Sequence, residues 1–197
     1  MPSTTVRSQW TERDLYFSFT CPYRRLNLKP DPVTNAETDQ LWDWDVAEAF
    51  IGSDYLNIGR YKEFQISPQG EFVDLDINRD HPERQEGVAW KSGFQVAARI
   101  DHAARVWYGE MKIPFASLGV HPTTGLELRL GLFRIEGPEP DRTYVTWRTT
   151  GATSFHVPSA FGTLVSIARF NPTAFQAVSF QQPVPIFDNG GNGGLQA

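Results

Sequence analysis

Two stretches of this chain concentrate side chains that can do chemistry. In YKEFQISPQGEFVDLDI, residues 61–77, Tyr61, Glu63 and Gln65 alternate with Lys62, Phe64 and Ile66, and Asp74 and Asp76 alternate with Val73, Leu75 and Ile77. The intervening SPQG has Pro second and Gly fourth, the placement a type I turn favours. With Ser67 opposite Gly70, the expected register sets Tyr61, Glu63 and Gln65 against Asp76, Asp74 and Phe72 on one polar face. Phe64, Ile66, Val73, Leu75 and Ile77 then share the other. Carboxylates and amides bind vicinal hydroxyls in pairs, and aromatic edges suit the C–H faces of a sugar ring, so this mixture reads as a saccharide platform. The same face reads equally well as an ordinary solvated side of an antiparallel sheet. Glu63 opposite Asp74 would also set two carboxylates about 5 Å apart, the separation of a retaining glycosidase and the basis of an enzyme alternative.

The second stretch is LWDWDVAEAFIGSD, residues 41–54, which holds two of the chain's six tryptophans. In an extended segment Trp42 and Trp44 leave the backbone on one side and Asp43 and Asp45 on the other. The expectation is that Trp44 begins the core while Trp42, nearer the loop, stays available. Further along, SFHVPSAFG reads either as a loop closing a sheet edge, with Phe161 tucked down, or as ligand contacts from Phe155 and His156. Arg148 is a polar candidate because a guanidinium forks onto vicinal hydroxyls or a uronate carboxylate. Asp74, Asp76, Asn78 and Asp80 place oxygens at alternate positions, as a weak calcium site would. Arg79 stands where a turning loop needs glycine, and a strand does not wrap an ion.

Short strands must position these residues. Period-two alternation recurs at 15–21, 46–51, 61–67, 71–77, 94–100, 106–113, 126–135, 143–147 and 163–170, about nine strands separated by turn residues. NAETDQLW and PFASLG are the helical exceptions. The expected fold is all-β, an antiparallel β-sandwich of jelly-roll type. Trp107 shares its parity with Met111 and Ile113, which reads as core, Trp90 reads as an edge anchor, and Cys21 reads as a buried thiol. Residues 1–170 form the expected domain. Residues 171–197, rich in Pro, Gly and Gln, form an expected flexible tail, with Phe175, Phe180, Ile186 and Phe187 as the contacts of an arm if it docks.

Composition bounds the function. At 197 residues, 40% hydrophobic and 21% charged, the chain suffices for one compact core. A net charge of −5 with scattered Lys and Arg argues against nucleic acid. A single cysteine allows no intrachain disulfide. MPSTTVRSQW lacks a secretory pattern, and no window reaches the 18 or so apolar residues of a membrane span, so no membrane partner is expected.

The ordered motifs LWDWDVAEAFIGSD, YKEFQISPQGEFVDLDI, WYGEMKIPFASLG, LRLGLFRIEG and SFHVPSAFGTL together resemble the carbohydrate-binding family 9 type domains, relatives of the DOMON sandwiches. The resemblance runs from about Leu15 to Val165. It implies a β-sandwich that binds saccharide without cleaving it, alone or as the accessory of a fused or partner glycoside hydrolase, and that holds a sugar end between two tryptophans. Trp42 and Trp147 are then the expected walls, with Phe155 competing for the second. Some members hold structural calcium; no other cofactor is expected. Some DOMON relatives carry b-type haem, for which His156 with Met111 is the pairing this sequence offers. Family members carry a further segment before the strand matching RDLYFSFTC, so an edge strand or a leader is expected to be missing from this N-terminus.

Overall fold

The computed structural model describes residues 3–166 and 195–196. Its strands are β1 (Thr5–Trp10), β2 (Asp14–Pro22), β3 (Val46–Gly52), β4 (Arg60–Ile66), β5 (Phe72–Asn78), β6 (Gln95–Asp101), β7 (Val106–Pro114), β8 (Glu127–Glu136), β9 (Thr143–Thr146), β10 (Gly162–Val165) and β11 (Leu195–Gln196). They form two antiparallel sheets, a small one in the order β1-β2-β7-β6 and a large one in the order β11-β10-β8-β3-β4-β5. Both β10 and β9 pair with β8, the first along Glu127–Leu130 and the second along Phe133–Glu136, so they divide one edge between them. The chain crosses between sheets after β2, β5 and β7. These three crossovers make a sandwich rather than two separate meanders. Among the described residues there is no α-helix: NAETDQLW yields only a 3-10 turn at Leu41–Asp43, and PFASLG one at Phe115–Leu118.

Strands stand at all nine places read from alternation, the ninth described as Gly162–Val165 of the expected 163–170, and the structure adds an edge strand that the alternation did not mark: β1 pairs with β2 from Thr5↔Thr20 to Trp10↔Leu15. The tail expectation concerns residues outside those described, apart from Leu195 and Gln196, which pair with Leu164 and Thr163.

The core lies between the sheets. Leu15, Phe17, Phe19 and Cys21 of β2 and Trp107, Met111 and Ile113 of β7 face Ala47, Ala49 and Ile51 of β3, Phe64 and Ile66 of β4, and Leu128, Leu130 and Leu132 of β8. Small residues on β3 make room for large ones opposite, the interlocking that close packing requires. Gly109 has the same role on β7. A Cβ there would lie 2.8 Å from Trp107 Cζ3 and 3.4 Å from Ile66, so the bare backbone is what lets the indole lie across the strand. Gly109→Ala should therefore cost about 1–3 kcal/mol by overpacking. Urea denaturation measures it, and a wild-type midpoint would show that the indole has another place to go.

The large sheet is apolar on its outer face too. Val46 and Phe50 of β3, Tyr61 of β4, Val73, Leu75 and Ile77 of β5, and Phe133 and Ile135 of β8 form a second buried cluster with Leu41. Leu41 and Trp42 of the crossover after β2, and Phe155 and Phe161 of the loop between β9 and β10, pack over this face.

The hairpin register corrects the sequence reading. Ser67 pairs with Glu71, not Gly70: Ser67 N–H donates to Glu71 O at 2.9 Å, and Gly70 N–H to Ser67 O at 3.1 Å. Gly70, at φ +88°, adds a third loop residue, the bulged type of hairpin loop that needs a left-handed glycine. The whole of β5 is thereby shifted by one, with Ile66↔Phe72, Glu63↔Leu75 and Tyr61↔Ile77. A one-residue slip exchanges the faces. Val73, Leu75 and Ile77 join Tyr61, Glu63 and Gln65 on the outer face, and Asp74 and Asp76 turn to the opposite side with Phe64.

Candidate functional site

The outer face of the large sheet holds an unusual set of polar groups. Glu48 on β3 and Glu63 and Gln65 on β4 are 2%, 3% and 1% exposed, within a face otherwise lined by the aromatic and aliphatic side chains just described. The register pairs Glu48 with Gln65 and Phe50 with Glu63, so Glu48 and Glu63 are diagonal neighbours on adjacent strands. Gln65 Nε2 donates to Glu63 Oε1 at 2.6 Å. Glu63 Oε2 and Gln65 Oε1 are buried with no hydrogen-bond partner. Burial pushes the Glu63 carboxyl up to about 7. Burial, and then the neighbouring Glu63 charge, hold the Glu48 carboxyl well above the usual range.

An aromatic set surrounds these groups. Phe50 stacks on Tyr61 at 5.5 Å and meets Phe133 edge-on at 4.8 Å. Phe155 lies flat on Phe133, at 4.5 Å and 13°, and Tyr144, 60% exposed, meets Phe155 edge-on. A Cβ on Gly131 would sit 2.6 Å from the Phe133 ring and 3.0 Å from Phe161, so glycine on β8 is what lets both rings lie over the strand. His156 Nδ1 and the Tyr61 hydroxyl are hydrogen-bonded at 2.6 Å, and His156 Nε2 stands 4.0 Å from Glu63 Oε2. Burial, and then the Arg79 charge, lower the His156 pKa, which favours a neutral imidazole beside the carboxylate. The loop carrying Phe155 and His156 is anchored by Arg129, which donates to Pro158 O at 2.6 Å and to Ile58 O at 2.9 Å.

Trp42 packs, half-buried, against this outer-face cluster. The 3-10 turn at Leu41–Asp43 breaks the extended geometry that would have put Trp42 and Trp44 on one side. Contrary to the sequence expectation, Trp44 belongs to neither buried cluster, and within residues 41–45 it is Leu41 and Asp45 that are fully buried. Arg142 fastens the turn by donating to Trp42 O at 2.6 Å, Asp43 O at 3.0 Å and Trp44 O at 3.4 Å.

Of the residues singled out from sequence, the fold thus gathers Trp42, Tyr61, Glu63, Gln65, Phe155 and His156 on one face. It separates the others. Trp147 follows β9 in phase with Leu132, to whose carbonyl its N–H donates at 2.9 Å, and packs on the inter-sheet core. A Cβ on Gly162 would lie 2.5 Å from its indole, so it rests on bare β10 backbone. There it lines a cavity of about 430 Å³ with Thr4, Val6, Phe19, Leu132 and Arg134. Trp42 and Trp147 therefore lie on opposite sides of the large sheet and cannot wall one slot. Arg148 is exposed beyond Trp147.

Asp74 is on the face away from Glu63, where its Oδ2 accepts from Ser92 N and the Ser92 hydroxyl. The Glu63–Asp74 glycosidase pair is ruled out by the same register shift. The calcium candidates do not fit an ion. Asp76 is taken by Lys62 at 2.5 Å and by Glu86 N at 3.2 Å, Asn78 Oδ1 accepts from His81 N, and Asp80 is an exposed neighbour of Gly59. Among the described residues no three metal-ligating side chains converge. Met111 is in the inter-sheet core and His156 on the outer face, so they cannot be the two axial ligands of one haem.

Glu48, Arg142 and Tyr144 escaped the sequence reading. Glu48 was visible as the polar residue between Val46 and Phe50, but on a face that reads as core an isolated acid carries no ligand signal. Arg142 and Tyr144 reach the site only through the pairing of β9 with β8.

The chain matches no described protein family. It is 25% identical over 179 residues to an "Extracellular protein" of Arthroderma benhamiae, covering 84% of this chain and 79% of that protein. It is 22% identical over 139 residues to the human "UPF0462 protein C4orf33", covering 71% of this chain and 63% of that protein's length. Among solved structures it superposes on a "putative carbohydrate-binding protein" of Bacteroides uniformis with a TM-score of 0.67 at 16% identity, over 83% of this chain and 78% of the other. The shared fold is an open antiparallel β-sandwich of the kind found in that protein. Among the described residues no helix is long and apolar enough to cross a membrane.

Proposed function

We propose that this sandwich binds a saccharide without cleaving it, on the outer face of the large sheet, as an accessory to a fused or partner glycoside hydrolase. The carrying observation is the set of partnerless buried acceptors, Glu63 Oε2 and Gln65 Oε1, beneath half-buried aromatic rings. Buried polar groups left unpaired cost stability, and functional sites are where such a cost persists. Sugar hydroxyls would donate to these acceptors while Phe155 and Trp42 take the C–H faces. The name of the Bacteroides uniformis neighbour and the resemblance to family 9 type domains both support this reading.

A panel of saccharides titrated by calorimetry and tryptophan fluorescence tests it. Trp42→Ala and Phe155→Ala should each weaken binding by about 2 kcal/mol, roughly 30-fold, as anchor residues do. Trp147→Ala should cost about 3 kcal/mol or more of folding stability and leave affinity in place. A blank panel, or full affinity in both the Trp42 and Phe155 variants, overturns the reading.

A hydrolase remains the second reading because Glu48 and Glu63, two carboxyls with raised pKa values, share one face. Turnover of chromogenic glycosides that is lost in Glu48→Gln would establish it instead.

A further inference from the structure

The side chains at the base of this site are acceptors with little left to donate to them. Glu63 Oε2 and Gln65 Oε1 have no partner, and no hydrogen bond reaches Glu48 from any described residue. The Gln65 amide gives one of its two N–H groups to Glu63 Oε1, and the Tyr61 hydroxyl is engaged with His156. The nearest cations do not fill the vacancy. Arg142 exerts its field on Glu48, but its described hydrogen bonds go to the carbonyls of Trp42, Asp43 and Trp44 and to the Tyr144 hydroxyl. Arg129 is committed to the Pro158 and Ile58 carbonyls. Lys62 of β4 points to the opposite face and pairs with Asp76.

A neutral sugar hydroxyl can donate one hydrogen to such a site and also brings lone pairs that face other lone pairs. An ammonium brings three donors, no acceptor and the opposite charge. From this mismatch we propose that the preferred ligand is an amino sugar with a free amino group, held as ammonium by Glu48, Glu63 and Gln65 Oε1. The inference rests on the saccharide reading and adds the ligand class. Phe155 and Trp42 favour a sugar over a bare polyamine, because a polyamine has no ring face to set against them. The partly exposed His156 side chain, 33% exposed, stands 4.0 Å from Glu63 Oε2, so an amine that reaches Glu63 displaces or passes this imidazole.

The test compares ligands that differ only in the group at C2 of each ring: glucosamine, N-acetylglucosamine and glucose, each as the monosaccharide and as the β-1,4-linked tetramer, titrated into the full chain at pH 7.5, above the value of about 7 to which burial pushes Glu63. Galactosamine and galactose form a second matched pair. A free-amine ligand should bind at least tenfold more tightly than its acetylated or hydroxyl counterpart. Glu63→Gln, which keeps the shape of the side chain, should reduce that preference to threefold or less, with folding checked by circular dichroism. Spermidine should bind at least tenfold more weakly than the best amino sugar. If neutral or acetylated sugars bind as tightly as the amines, the inference fails while the saccharide reading stands. If spermidine matches the amino sugars, the ligand is an amine of another kind and the inference fails. If no saccharide binds, both fail.

Discussion

The protein is expected to lose stability as the pH rises from about 5 to 8, and Glu48→Gln/Glu63→Gln should remove a measurable part of that loss. Burial raises the carboxyl of Glu63 to about 7 and that of Asp45 to about 6, and lifts Glu48 well above its usual value. Glu110, on the small sheet, is likewise raised to about 7 by burial. A carboxyl whose pKa is raised in the folded state is held there in its neutral form, whereas the unfolded chain ionises near the ordinary value of about 4.3. Between those two values the folded chain binds more protons than the unfolded one, so stability falls as pH rises. The penalty is absent below the ordinary carboxylate value and complete above the folded one. For Glu63 alone the shift is on the order of 3 kcal/mol. His156 acts in the opposite sense. Its depressed pKa costs stability only as pH falls below the ordinary imidazole value, which sets the optimum in mildly acidic solution. Replacing both glutamates by neutral isosteres should raise the melting temperature at pH 8 by roughly 5–10 °C and change it little at pH 5. Melts at four pH values measure this. A double variant with the wild-type slope would mean that the two carboxylates find donors when ionised, and would take away the argument that this face is built for a ligand.

The alternation that announces strands was legible because each sheet buries its faces in phase, and β2, β3, β7 and β8 carry that phase without interruption. What sequence could not supply was the face. Ser67-Pro68-Gln69-Gly70 fits a turn as well as it fits a loop one residue longer, and only the left-handed Gly70 with the Ser67–Glu71 pairing distinguishes them. That single residue moved Asp74 away from Glu63 and removed both a sugar contact and a catalytic pair. Trp42 and Trp44 failed for a related reason: parity holds only in an extended chain, and Leu41–Asp43 is a 3-10 turn. Trp147 was drawn by resemblance to the second wall, but its phase with Leu132 sends it to the core side. The aromatic that does reach the outer face, Phe155, comes from an irregular loop whose position depends on Arg129, a contact between residues 29 positions apart. Alternation is a local signal, and this site is assembled by three distant segments.

Arg134→Ala should be among the most destabilising single substitutions in the chain, costing about 3–5 kcal/mol, while leaving saccharide affinity unchanged. The guanidinium is 2% exposed at the end of the inter-sheet core. It donates to Pro22 O at 2.8 Å and Thr4 Oγ1 at 3.1 Å, lies 3.4 Å from Glu136 Oε2, and sits 6.0 Å from the Trp107 ring. It thus ties β8 to the end of β2 and to the residue preceding β1, which joins the two sheets where β2 leaves the core. Its charge also helps the fully buried Asp45, whose carboxyl is already raised by burial and whose Oδ1 accepts from Gly137 N at 2.6 Å. Removing the cation leaves Asp45 and Glu136 without it, strips the Pro22 carbonyl of a donor and enlarges the adjoining cavity. Asp45 Oδ1 keeps the Gly137 N–H and Glu136 Oε1 keeps the Arg24 N–H, so what is lost is the cation itself, the donor to Pro22 and the volume that the side chain fills. Arg134→Met keeps much of the volume but still abandons the acids, so it should recover only part of the loss. Arg134→Met/Glu136→Gln should recover more, since a removed ion pair is cheaper than a broken one. Cys21 offers a second readout. Its thiol is fully buried and pushed up to about 12, so it should be inert to alkylation in the wild type and become reactive in Arg134→Ala as the end of the sandwich opens. Binding should be spared because Arg134 and Glu63 project from opposite faces of the large sheet. A loss below about 1 kcal/mol, with Cys21 still protected, would show that packing against Trp107, not the charge of Arg134, holds this end closed.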